Sequence, residues 1–131
     1  KKRNLDAFVK EYAKRGSVLE ASGRRVLDVL GYMSVIFLPK DRLLSSSGII
    51  PVYYWFIRAV NVNHMPKVRD FLNQFENQRR ENRRLVEASQ HGKRLDDELL
   101  TYDKLSRSAN DLQSHEGRFK ILQRRFNVYV Q

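Results

Sequence analysis

Ile49-Ile50-Pro51-Val52-Tyr53-Tyr54-Trp55-Phe56-Ile57-Arg58 is the stretch on which the fold class turns. Its aromatic run has strand propensity. Two features favour a helix instead. Pro51 suits a first helical turn, where its missing N–H is no loss. The segments on either side read as helices, so a lone strand here would have no partner. Val52–Ile57 is therefore expected to form a buried helix at the centre of an all-α core, with Trp55 packed inside it.

Towards the N-terminus, Leu5, Phe8, Val9, Tyr12 and Ala13 repeat at helical spacing, and Gly16 supplies a C-cap. Ser17-Val18-Leu19-Glu20 reads as a capping box that starts a second helix. Val26, Leu30, Met33 and Phe37 form its apolar stripe, and Gly23 and Gly31 are places where it would bend or break. Its end, Tyr32–Leu38, is apolar all round, the pattern of a buried helix or a buried strand, and Pro39 stops it. Lys40–Gly48 reads as a loop whose serines cap the next helix. Asp41 and Arg42 are expected to fix that loop by a buried polar contact.

Towards the C-terminus, Asn61–Pro66 reads as a turn, with Asn63 as N-cap and Pro66 in a first helical turn. A long helix is expected from about Pro66 to about Ser89. Val68, Phe71, Leu72 and Phe75 make its first half amphipathic. Its second half, Asn77-Gln78-Arg79-Arg80-Glu81-Asn82-Arg83-Arg84, contains no apolar residue, so it must project into solvent or meet a polar partner. Gly92 breaks the chain. Leu95, Leu99, Leu100, Tyr102 and Leu105 mark another helix, Ser106–Gln113 is a polar link, and Ser114 caps a last helix carrying Phe119, Ile121, Leu122, Phe126, Val128 and Tyr129. There is no internal repeat. The expectation is an all-α fold, a single bundle-like domain of five or six helices spanning residues 1–131.

A chain of 131 residues suits one domain with a real core. With 41% hydrophobic residues it is too apolar to read as a disordered tail. It contains no cysteine, which excludes disulfides, thiolate metal sites and a cysteine nucleophile, and suits a reducing cytoplasm, the expected compartment. The longest apolar runs, Val35–Leu38 and Val52–Ile57, fall far short of the roughly 20 residues of a membrane span, so no membrane partner is expected. No signal-peptide pattern is present. A start at Lys1-Lys2-Arg3, without methionine, is expected of a fragment of a larger protein. Lys and Arg number 25 against 15 Asp and Glu, and the net charge of +10 favours polyanionic partners.

The residues that could carry chemistry are few. Arg79, Arg80, Arg83 and Arg84 share one side of the long helix at spacings of one, four and five, and Lys93 and Arg94 extend the positive stretch. Guanidinium forks suit phosphate oxygens, so these six are the candidate nucleic-acid-binding residues, with DNA or RNA as partner. The bland reading is a solvated face paired with Glu76, Glu81 and Glu87. Tyr53, Tyr54, Trp55 and Phe56 would stack on bases if exposed, but so dense a run fits core packing better. Ser45-Ser46-Ser47-Gly48 lacks the glycine pattern and lysine of a phosphate loop. His64, His91 and His115 lie in different elements without ligand partners, so no metal is expected. Ser114-His115-Glu116 is no triad, because adjacent residues on a helix do not face one another.

Three segments together carry a family likeness: Gly16-Ser17…Leu19-Glu20-Ala21-Ser22-Gly23, Phe37-Leu38-Pro39-Lys40-Asp41-Arg42-Leu43-Leu44, and Gly48-Ile49-Ile50-Pro51-Val52-Tyr53-Tyr54. The chain resembles the helical C-terminal region of a family of bacterial proteins in which a ParB/sulfiredoxin-like domain precedes the helices. Some members are nucleotide-dependent nucleases of modification-sensing restriction systems. The resemblance covers most of the chain and implies that any activity lies in an N-terminal ParB-like domain of the same protein, which would also be a partner. That domain's acidic-glycine-glutamine-arginine motif has no counterpart here, so no catalytic residue and no cofactor is carried over.

Two classes of function remain. One is a non-catalytic, nucleic-acid-associated accessory to a nuclease domain in bacterial defence. The other is a protein-interaction or interdomain packing domain that binds no nucleic acid. No pair of groups has the spacing of acid–base or nucleophilic catalysis, so an enzyme is not expected.

Overall fold

The computed structural model describes residues 5–7, 21–46, 48–88, 95–108 and 111–131, and of Ala21 and Ser22 the backbone only. Among the described residues there are five long α-helices and no strand: α1 (Ala21–Ile36), α2 (Ile49–Ala59), α3 (Val68–Glu87), α4 (Asp97–Ser106) and α5 (Leu112–Tyr129). Two 3₁₀ helices, Arg42–Leu44 and Val62–Lys67, precede α2 and α3. The fold is all-α, as the sequence predicts.

The decisive stretch is helix α2, with Pro51 in its first turn. Val52, Tyr53, Phe56 and Ile57 are buried, a pattern that follows a helical face and not the alternation of a strand. Gly48 precedes α2 at φ 69°, a left-handed conformation that glycine adopts without steric cost. Helix α2 packs on α1 and on α5; α5 packs on α4, α4 on α3, and α3 closes back on α5. Buried apolar side chains from all five helices join in one cluster. The Phe56 ring lies 5.7 Å from Phe71 and 5.4 Å from Phe126, and Phe37 stacks on Tyr53 at 5.3 Å.

Polar joints lock the helix ends. The Asp41 carboxylate accepts from the amides of Leu38 (2.8 Å) and Leu43 (3.1 Å) and from the Arg69 guanidinium (2.6 Å). Arg69 also donates to the Ile36 carbonyl at 2.9 Å, so one ion pair ties the end of α1 and the first 3₁₀ turn to α3. The expected loop contact is thus real for Asp41, but its partner is Arg69, and Arg42 stays exposed. Burial alone would raise the Asp41 pKa; Arg69 and the two amides outweigh it and hold the carboxyl below its ordinary value. Arg125 of α5 reaches Asp96 (3.0 Å), Glu98 (3.1 Å) and Gln78 (3.0 Å), joining three helices. The Ser34 hydroxyl donates to Asp6 at 2.8 Å, and this holds the 5–7 stretch on α1.

The structure corrects several local expectations. Asn61, not Asn63, is the N-cap after α2: its side chain accepts from the Asn63 amide at 2.9 Å, while Asn63 is already inside the 3₁₀ helix. Asp111, not Ser114, caps α5, accepting from the Gln113 amide at 3.0 Å. Ser114 is buried in the first turn and donates to the Leu105 carbonyl. No serine side chain caps α2, whose N-cap is Gly48; the Ser45 hydroxyl turns back to the Arg42 carbonyl at 2.7 Å. The 40–48 loop contributes Leu43 and Leu44 to the core. The end of α1 is not buried all round, since Val35 is 82% exposed, and neither Gly23 nor Gly31 interrupts it. Trp55 is only half-buried, its indole edge-on to Phe119 at 6.1 Å, because the inward face of α2 is taken by the residues beside it. The Ser17–Glu20 capping box, Gly16 and Gly92 lie outside the described residues.

Truncation of the enclosed ring should therefore cost more than truncation of the half-exposed one. Phe56→Ala is expected to lose about 3–5 kcal/mol, and Trp55→Ala clearly less, in urea melts of the two variants against the parent. Asp41→Asn is expected to cost about 2 kcal/mol at pH 7. Because the folded-state pKa of Asp41 is lowered, this contribution is complete above the unfolded pKa of about 3.9 and is lost as pH falls through the folded value. Melts from pH 7 to 2.5 should show parent and variant converging only in the acid range.

Candidate functional site

The polar half of α3 divides its arginines between two environments. Successive residues turn by about 100°, so Arg79 and Asn82 share the inner face with Phe71, Leu72 and Phe75, while Arg80, Arg83 and Arg84 point outwards. Arg79 is 6% exposed and Asn82 4%. Each replaces the missing apolar anchor with hydrogen bonds. Arg79 Nη1 donates to both Glu76 oxygens (2.9 and 2.7 Å), and Nε donates to Asp103 Oδ1 of α4 at 2.7 Å. Its guanidinium lies over the Tyr102 ring, 4.6 Å from the centroid. Burial alone would lower the Arg79 pKa, but the charges of Glu76 and Asp103 outweigh it and hold the group firmly cationic. The Asn82 amide pairs with the backbone of Asp96, donating to its carbonyl at 3.1 Å and accepting from its amide at 2.8 Å. Asp96 is the N-cap of α4, so this contact sets where that helix begins.

Arg79 therefore does not belong to the expected basic face. Arg80, Arg83 and Arg84 do. Arg84 pairs with Glu81 at 2.6 Å, both exposed, a contact of little energetic weight in water. Arg83 comes no closer than 4.0 Å to Asp103, and Arg80 hydrogen-bonds only the Asn77 amide oxygen, at 3.1 Å. Lys93, Arg94 and His91 lie outside the described residues.

Tertiary structure adds what the linear pattern did not contain. A groove of about 590 Å³ runs between the first 3₁₀ turn and the outer face of α3. Arg42, Ser45 and Ser46 form one wall, and Asn73, Asn77, Arg80 and Arg83 the other. Glu76 and Arg79 also line it, but they are committed to each other. The serines do adjoin a cationic groove, and Arg42 is the residue the sequence did not single out for binding. Its signal was available only as one more exposed cation in a polar loop.

The same reading missed Arg118. It lies on α5 at a position expected to be unremarkable, yet it is wholly buried. Burial lowers its pKa, and the groups acting on its charge are Tyr102, Arg79 and Tyr53. Burial also raises the Tyr102 pKa, so the phenol stays protonated. Among the described residues no group of three or more His, Asp or Glu side chains is placed to hold a metal ion. His64 packs against Phe126 at 6.4 Å. Ser114, bonded to Leu105, is turned away from nucleophilic work.

Removing Arg79 leaves two carboxylates facing a buried phenol without their cation. Arg79→Met is expected to cost about 3–5 kcal/mol, whereas Arg83→Met on the outer face should stay within about 0.5 kcal/mol. Chemical denaturation of the two variants checks the contrast. Compared with protein-family models, with curated proteins and with solved structures, the chain matches none.

Proposed function

We propose that this is a non-catalytic domain that holds the sugar–phosphate backbone of DNA or RNA in the groove between the first 3₁₀ turn and α3. The observation that carries the proposal is the convergence of Arg42, Arg80 and Arg83 on one groove, with Arg42 and Arg80 in no ion pair among the described residues. A guanidinium with no committed carboxylate is free to exchange its hydration for phosphate oxygens. Ser45, Ser46, Asn73 and Asn77 supply neutral hydrogen-bonding groups of the kind that position a backbone without reading sequence. The family resemblance supports the same reading and places the domain as an accessory to an N-terminal ParB-like nuclease domain in bacterial defence.

A second reading, a protein-interaction or interdomain packing surface, draws on a different observation. Tyr32, Val35 and Leu38 are exposed together at the end of α1, an apolar surface that would favour another protein.

Sequence-independent binding with a dissociation constant of about 10⁻⁴–10⁻⁶ M at physiological salt is the expected strength. Fluorescence anisotropy with a labelled duplex and a labelled single strand, each across a salt series, measures it. The variant that carries Arg42→Gln, Arg80→Gln, Arg83→Gln and Arg84→Gln should bind more weakly and with a flatter salt slope, while its thermal midpoint stays near the parent's. Arg79 is left intact because its loss would unsettle the fold. A parent chain that shows no salt-sensitive binding in low salt would remove the nucleic-acid reading and leave the interaction surface.

A further inference from the structure

A guanidinium does not lose its proton inside a protein, so Arg118 carries its charge wherever the fold puts it. The fold encloses it completely, at 0% exposure. Its Nε, Nη1 and Nη2 are all buried, and none has a hydrogen-bond partner among the described residues. The groups that act on its charge are two phenols and a second cation, with no carboxylate. Glu76 and Asp103, the acids of the neighbouring network, are bound to Arg79. The free oxygen of Asp103 has Arg83 at 4.0 Å. One turn before Arg118, the Ser114 hydroxyl is engaged by the Leu105 carbonyl. The Tyr102 hydroxyl is itself buried and without a partner among the described residues.

An uncompensated charge in this position would consume a large part of a domain's net stability. A buried water could accept a hydrogen bond from the guanidinium but would bring no counter-charge. An anion supplies both, and guanidinium N–H and phenol O–H groups are donors that suit it. Arg118 lines none of the grooves described above, so the ligand must be small.

We propose that Arg118 and the Tyr102 hydroxyl hold a small monovalent anion, of the size of chloride, in the interior where α4 and α5 pack. The site is independent of the nucleic-acid groove, whose arginines lie on the outer face of α3 and on the 3₁₀ turn. Bound anion neutralises Arg118 and satisfies its donors, which makes the anion a structural component of the folded domain.

The test is thermal unfolding of the 131-residue chain at constant ionic strength, with sodium chloride progressively replacing sodium gluconate, an anion too large to enter. The midpoint should rise and saturate, by about 5 °C when chloride stands tenfold above its dissociation constant. The Arg42→Gln, Arg80→Gln, Arg83→Gln, Arg84→Gln variant should keep this response, and Arg118→Met should lose it. Loss of nucleic-acid binding with the chloride response intact would sink the proposed function alone. A chloride response that persists in Arg118→Met, or none in the parent, would overturn the anion site alone. Crystals of the parent grown in sodium bromide give a second reading that needs no variant. An anomalous bromide peak within hydrogen-bonding distance of the Arg118 guanidinium supports the site, and water density alone at that place overturns it.

Discussion

The structure hinges on a guanidinium sunk between two carboxylates. Arg79 sits between Glu76 on its own helix and Asp103 on α4, with its flat face on Tyr102. A pair of helices this polar has few apolar groups to register them, and a buried ion pair with planar, forked geometry is more exacting than a greasy contact. Once Arg79 points inwards, the 100° step of the helix leaves no choice for its neighbours. Asn82 follows it into the interface and seizes the backbone of Asp96. Arg80, Arg83 and Arg84 are turned away towards the groove. The surface that bears on function is thus a by-product of how one buried cation is neutralised.

The apolar half of the fold was legible in the sequence because burial leaves a periodic trace. Leu30, Met33 and Phe37, then Val68, Phe71, Leu72 and Phe75, then Ile121, Leu122 and Phe126 are all core residues where their spacing placed them. The helix over Val52–Ile57 followed from a proline and from the absence of strand partners. Caps were less legible. Asn61 and Asn63 are chemically alike, as are Asp111 and Ser114 as acceptors, and the choice depends on which residue reaches an extended backbone, set by the preceding packing. Trp55 illustrates the same limit: an aromatic run shows that a segment is buried, not which of four adjacent rings faces inwards.

The candidate site was half legible. Arg80, Arg83 and Arg84 were visible as exposed cations because nothing apolar flanked them. Arg79 carried the same sequence signal and belongs to the interior, since its partner Asp103 lies 24 residues away on another helix. Arg42 became part of the groove only through the contact of the 3₁₀ turn with α3, which Asp41 and Arg69 hold in place. A polar residue's role depends on its partner, and partners distant in sequence leave no period to read. Arg118 is the extreme case, a charged residue on a helix whose apolar neighbours hid it.

Net charge, for this reason, is a poor guide to the surface field. Arg69 is tied to Asp41, Arg79 to Glu76 and Asp103, and Arg125 to Asp96 and Glu98, so each of these cations is spent on joining helices. Arg118 is hidden from solvent altogether. The arginines free to meet a polyanion are those the fold leaves over, and they are concentrated where the outer face of α3 meets the turn at Arg42. Buried ion pairs contribute little to attraction at a distance, because each cation is matched by an anion a few ångströms away. Exposed cations without committed acids contribute nearly all of it. A chain with the same composition but with Arg80 and Arg83 turned inwards would have the same net charge and no groove to offer a phosphate.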